Sequence, residues 1–178
     1  IESLNSKVYN QEEFVYNSVD ILKEYFNPKN ERKIYHGLCM KLYKKELFYD
    51  LRFDKGRLHE DLFITYKLLD RCSTFVYVNL PYYYYYQKNT NSITKNYKEK
   101  NLLDEFDALN FMMAYFNDNE NVIDCLNFFV IMHFTYLYEK TFSLSKTSTV
   151  LSKRKQIKNV IFEKVKLCSC ITKKQKIR

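Results

Sequence analysis

Residues 53–94, FDKGRLHEDLFITYKLLDRCSTFVYVNLPYYYYYQKNTNSIT, constrain the fold more than any other part of the chain. Asp54-Lys55-Gly56 reads as a turn, with Gly56 supplying the permissive backbone. His59-Glu60-Asp61 follows, and Leu62, Tyr66 and Leu69 then recur at helical spacing, with Leu58 just upstream. Asp61 is therefore expected at or near a helix N-terminus. The exposed N–H groups and the dipole there favour an ionised carboxylate, which is what a general base needs. A helix-capping aspartate without chemistry accounts for the same position. Beyond Asp70-Arg71, the β-branched and aromatic runs 74–78 and 82–86 read as strands, separated by a bend at Asn79-Leu80-Pro81. Strand alternation would turn one set of the tyrosines to the core and the other to a cleft or to solvent.

Upstream, Asn10-Gln11-Glu12-Glu13 reads as a variant capping box that starts a helix running to about Phe26. Val15, Val19, Leu22 and Phe26 form its apolar stripe, widened by Phe14 and Ile21. Residues 34–42 read as partly extended, and 44–48 as a short helix at best. Downstream, Leu102, Phe106, Leu109, Met113 and Phe116 line one face of a helix over 98–116. A second helix over 122–140 is apolar nearly all round, so it is expected to be buried or to face a partner, which leaves room for an oligomer. The Ser/Thr-rich stretch 143–152 reads as a linker to a last helix over 153–167.

Of the 29 Lys and Arg, ten lie in 153–178, where Glu163 is the sole acidic residue, so the body is close to neutral and the tail carries the net charge. A basic amphipathic helix there fits a solvated face packed on the body or a peripheral contact with an anionic membrane, with nucleic acid not expected as the partner. The chain, with 178 residues and 46% apolar composition, is long enough for a globular domain with a real core. Five cysteines, an odd number, with no C-x-x-C, suit reduced thiols in the cytoplasm. No signal peptide is read at the start, and the most apolar run, 128–132, is too short to span a bilayer.

Taken in order, Phe53, Gly56, Glu60-Asp61, the strand 74–78, Pro81, the run 82–86 and Ser92-Ile93 resemble the second half of a family 2 glycosyltransferase. Gly37 and the piece KLYKKELF, 41–48, fit as well, so the likeness covers roughly 35–94. It implies an α/β fold, the C-terminal part of a GT-A (Rossmann-like) glycosyltransferase with a largely helical C-terminal extension. The division expected is 1–97 for the acceptor-side part, 98–142 for the helical extension, and 143–178 for linker and basic tail. The activity implied is non-processive transfer of a sugar, of hexosyltransferase type, from a nucleotide-sugar donor to a glycan or lipid-linked acceptor. By the resemblance Asp61 matches the catalytic base and Glu60 its partner. His59, Tyr84, Lys88 and Ser92 become candidate substrate contacts, and Lys88 is the cation left to meet a phosphate after the aromatic run. A divalent cation, manganese or magnesium, is implied too.

The departures shape the expectation. The chain has no Asp-x-Asp to hold that cation and the donor diphosphate, no nucleotide-binding strand–loop, and no Trp, hence no Gln-x-x-Arg-Trp. It starts at Ile1 and is read as the C-terminal part of a longer protein, with the metal's main ligand outside it and this fragment inactive alone. The expected setting is the cytoplasm or the inner face of the membrane, in cell-envelope polysaccharide synthesis. The alternative is a non-catalytic fragment that associates with a partner or an anionic surface through its tail.

Overall fold

The strand formed by 75–78 has its partner far upstream. In the computed structural model, which describes residues 13–27, 29, 34–84, 86 and 96–169, β1 (Glu13–Tyr16) pairs antiparallel with β2 (Phe75–Val78). Phe14 stands opposite Tyr77 and Tyr16 opposite Phe75, each pair with ring centroids 6.4 Å apart. On the other face Val15 opposes Val76, and both are exposed. The chain continues through α1 (Ser18–Phe26), a short 3-10 turn (Lys45–Phe48), α2 (Glu60–Arg71), β2, α3 (Glu99–Tyr115), α4 (Ile123–Lys140) and α5 (Ser148–Leu167). The architecture is mixed α/β and mostly helical, with five helices and one two-stranded sheet among the described residues.

The capping box at Asn10 is a correction. Asn10 lies outside the described residues, and Glu13 is in β1. The cap of α1 is Asn17, whose side chain accepts from Asp20 N at 2.9 Å and donates to Asp20 Oδ2 at 2.8 Å. Pairing with β2 claims 13–16 as strand, so the helix waits for the next Asn-x-x-acid box. The strand expected at 82–86 is not seen at its described residues: Tyr82, Tyr83, Tyr84 and Tyr86 are exposed and irregular, and among the described residues no strand pairs with them. No strand forms in 34–42, whereas the turn at 54–56 is present, with Gly56 at φ 82.

The core gathers one face from each helix. Ile21, Leu22, Tyr25 and Phe26 of α1 meet Tyr66 and Leu69 of α2, Leu102, Leu109 and Met112 of α3, and Leu126, Phe129 and Val130 of α4. Phe26 packs edge-on to both Phe116 and Phe129, with centroids 5.6 and 5.3 Å away. A smaller cluster under the 3-10 turn joins Leu51, Leu62, Phe63, Ile64, Leu68 and Ala108. α4 is buried against its neighbours on the side of Leu126, Val130, Phe134 and Leu137, while Met132 and Tyr136 are exposed, so its apolar circumference is only partly covered.

The turn before α2 is fastened to α3 by one aspartate. Asp104 accepts from Leu58 N at 2.8 Å, from Arg57 Nη1 at 2.9 Å and from Lys100 Nζ at 2.7 Å. Burial works against its charge, but these three donors outweigh it and hold the carboxyl below the usual aspartate range.

The stretch 143–152 is not a free linker. Thr147 caps α5, accepting from Val150 N at 3.2 Å and donating to Glu99 Oε2 at 2.9 Å, so 148–152 form the first turns of that helix. α5 returns along α4 and buries Val150, Ile157 and Cys168. Arg154 donates to Thr141 Oγ1 and to Thr141 O, both at 2.8 Å. Among the described residues no helix is long and apolar enough to cross a membrane.

Candidate functional site

α2 begins where the backbone turns at His59, a non-glycine residue in the left-handed region (φ 57, ψ 39). That conformation costs an L-residue about 1–2 kcal/mol and persists where the surroundings over-determine it. His59 O accepts from Leu62 N at 3.0 Å. Its ring Nε2 stands 3.1 Å from Glu105 Oε1 and 3.1 Å from Asn101 Nδ2. Asn101 Oδ1 is engaged by Lys98 N at 2.9 Å, which makes its Nδ2 the donor. One imidazole nitrogen thus has a donor on one side and an acceptor on the other. Unprotonated it accepts from Asn101; protonated it donates to Glu105.

Glu105 is buried and also accepts from Tyr97 Oη at 3.1 Å. Burial pushes its carboxyl above the ordinary glutamate range, against the pull of His59, of the Tyr97 hydrogen bond and of Lys140. Burial and then the Glu105 charge raise the Tyr97 hydroxyl in turn. Lys140 Nζ, from α4, lies 5.6 Å from the Tyr97 ring centroid.

Asp61 sits half-buried in the first turn of α2, with Oδ1 accepting from Leu62 N at 2.9 Å. Its charge acts on Tyr25 of α1, on His36 and Lys41 of the segment between α1 and the 3-10 turn, and on Glu105 of α3. His36 is tied to α2 by Thr65, whose Oγ1 donates to His36 O at 2.5 Å. Lys41 Nζ donates to Tyr35 O at 2.8 Å and to Gly37 O, wrapping that segment around its own ammonium. Burial lowers both His36 and Lys41 from their ordinary values, with the Asp61 charge opposing the shift in each. The His133 ring, on α4, lies 6.4 Å from that of His36; its Nδ1 donates to Phe129 O at 3.0 Å, and burial lowers it too. The chain has 3 histidines, and all of them are in this neighbourhood.

Tyrosine hydroxyls complete the surroundings. Tyr25, Tyr43 and Tyr66 each bury Oη without a hydrogen-bond partner among the described residues. Burial is the main cause of the rise in all three, with Asp61 adding to it at Tyr25, and Tyr43 is pushed up to about 12. Native proteins satisfy nearly all buried polar groups.

Of the residues singled out from the sequence, Asp61 and His59 belong to this neighbourhood. Glu60 is exposed, and the buried carboxylate near Asp61 is Glu105. Tyr84 is 84% exposed on irregular chain. Lys88 and Ser92 lie outside the described residues; the cation whose charge meets that of Asp61 is Lys41. Sequence reasoning passed over Lys41 although it opens the KLYKKELF piece. It also passed over Asn101 and Glu105, two polar residues interleaved with the apolar stripe of α3.

Among the described residues no group of three or more His, Cys, Asp and Glu side chains is arranged to hold a metal ion, so the divalent cation implied by the resemblance finds no ligand set here. No protein-family model, no curated protein and no solved structure matches this chain.

Proposed function

We propose that this chain is the acceptor-side part of a glycosyltransferase in which Asp61 is the general base. The observation that carries the reading is the position of Asp61. It is half-buried at the start of α2, in a polar neighbourhood built from four separate parts of the chain, within the stretch that resembles family 2. In this reaction the Asp61 carboxylate takes the proton of an acceptor hydroxyl. The acceptor oxygen bonds to the anomeric carbon of the donor sugar, and the bond from that carbon to the nucleotide diphosphate breaks, the diphosphate leaving with the electron pair. Neutral His36, half-buried beside α2, offers a hydrogen bond suited to a polyol acceptor, glycan or lipid-linked.

The two-stranded sheet of the described residues supports the same reading. A two-stranded ribbon is marginal by itself, and β1–β2 leaves Val15 and Val76 exposed. In a GT-A fold it would be the margin of a larger sheet.

The test is steady-state transfer from a panel of nucleotide-sugars by the full-length product of the gene, wild type against Asp61→Asn. Asparagine caps a helix nearly as well as aspartate but offers no basic oxygen. Turnover should fall by about 10² to 10⁴ while donor affinity stays close to wild type. Normal turnover, or activity lost only through unfolding, makes Asp61 a helix cap and overturns the reading.

A further inference from the structure

α5 has one face committed to the fold and another that is not. Val150, Ile157 and Cys168 are buried. On a different flank, Leu151, Lys155, Lys158 and Phe162 follow one another at spacings of four, three and four residues, and all are exposed. Leu151 is 45% and Phe162 57% exposed, and Lys158 Nζ lies 5.7 Å from the Phe162 ring centroid. In the turn between α4 and α5, Phe142 is 62% exposed beneath the guanidinium of Arg154, 4.2 Å from its ring centroid. Over its 20 residues α5 carries Lys153, Arg154, Lys155, Lys158, Lys164 and Lys166 against Glu163 alone.

What distinguishes this face is that exposed Leu151 and Phe162 lie in one line with exposed Lys155 and Lys158, so apolar and cationic groups share one strip. A second copy of the chain would bring like charge against like charge. Nucleic acid would engage the lysines but gain little from Leu151 and Phe162. An anionic bilayer uses both, with ammonium groups among the headgroup phosphates and apolar side chains in the interfacial layer. We propose that this face of α5, with Phe142 beside it, lies on an anionic phospholipid surface and holds the protein there without crossing it. The inference stands apart from the catalytic reading, because none of these residues belongs to the Asp61 neighbourhood.

The experiment is sedimentation of the full chain with vesicles of phosphatidylcholine alone and of an equimolar mixture with phosphatidylserine, at low and raised salt. Binding is expected to the mixed vesicles only, and to weaken with salt. The double substitution Lys155→Gln/Lys158→Gln should lower the partition coefficient about thirtyfold, and Phe162→Ser about tenfold. Circular dichroism should show both variants folded, because the substituted side chains are exposed. No sedimentation, equal binding to neutral vesicles, or unchanged partition of the variants overturns the proposal. So does tighter binding to a DNA or RNA duplex than to the mixed vesicles with no dependence on Phe162.

Discussion

His59 Nε2 and Glu105 Oε1 meet at 3.1 Å and join the residue that opens α2 to the buried face of α3. Because the backbone of His59 leads directly into Glu60 and Asp61, this contact also fixes how α2 starts. Its strength depends on where the proton sits, since Asn101 competes for the same nitrogen.

Glu105 should therefore show itself through pH. Its folded carboxyl holds the proton more tightly than an unfolded one, so its contribution to stability is greatest at acid pH and is lost as pH rises through the folded value. Glu105→Gln should raise the melting temperature at about pH 7.5 and bring little gain at about pH 4. Thermal melts of the two proteins at both pH values decide it; a lower Tm for the variant at neutral pH would show that the pairing with His59 outweighs burial.

The two half-buried histidines of this neighbourhood act in the opposite sense. His36 and His133 are held below the ordinary imidazole value, so the unfolded chain binds more protons than the folded one between their folded values and about pH 6.5. Stability should fall as pH drops below about 6.5, by up to about 1.4 kcal/mol per pH unit for each ring. His133→Gln should flatten that slope. An unchanged slope would mean that His133 is already protonated or solvent-accessible in the folded chain.

Asp104 anchors the turn at 57–58 through three donors, and its side chain is 4% exposed. Asp104→Ala strands Leu58 N–H and leaves Arg57 with Asp107 alone. A loss of about 2–3 kcal/mol is expected in urea unfolding at neutral pH. Because the wild-type carboxyl is depressed, that advantage should disappear as pH falls through its folded value.

Removing 148–178 should unfold the helical half of the molecule. The sequence reads as a linker followed by a basic tail, but α5 buries Val150 and Ile157, each worth about 1.5–3 kcal/mol. The truncated chain should melt well below the intact one. An equal Tm would show that α4 is stable without its partner.

The turn at 54–56, helices α2, α3 and α4, and the strand at 75–78 are legible because each has a strong local period or a turn residue. β1 is not, because only its pairing with β2 tells 13–16 from the start of a helix, and two Asn-x-x-acid boxes compete to cap that helix. The five consecutive tyrosine codes at 82–86 look like a strand, yet propensity cannot supply a neighbour to pair with. Thr147 disappears among the Ser and Thr of a stretch that reads as linker, although it begins α5. In the candidate site, Asp61 and His59 stand out because they open a helix. Glu105, Lys41 and His36 reach them only once α3 and the 34–43 segment pack on α2, and that proximity leaves no trace in local spacing.

The register of β1 against β2 has a consequence for how the molecule assembles. Pairing Glu13 with Val78 closes a loop of about sixty-five residues that contains both α1 and α2, whereas α4 and α5 meet across a short turn. The helical hairpin should therefore form early and the ribbon late, once the helices between its strands have docked. Pulse-labelled hydrogen exchange during refolding would show amides of α4 and α5 protected first and those of 13–16 and 75–78 last. At equilibrium the ribbon should be the first part to open, so that 13–16 and 75–78 exchange their amides together as one cooperative unit.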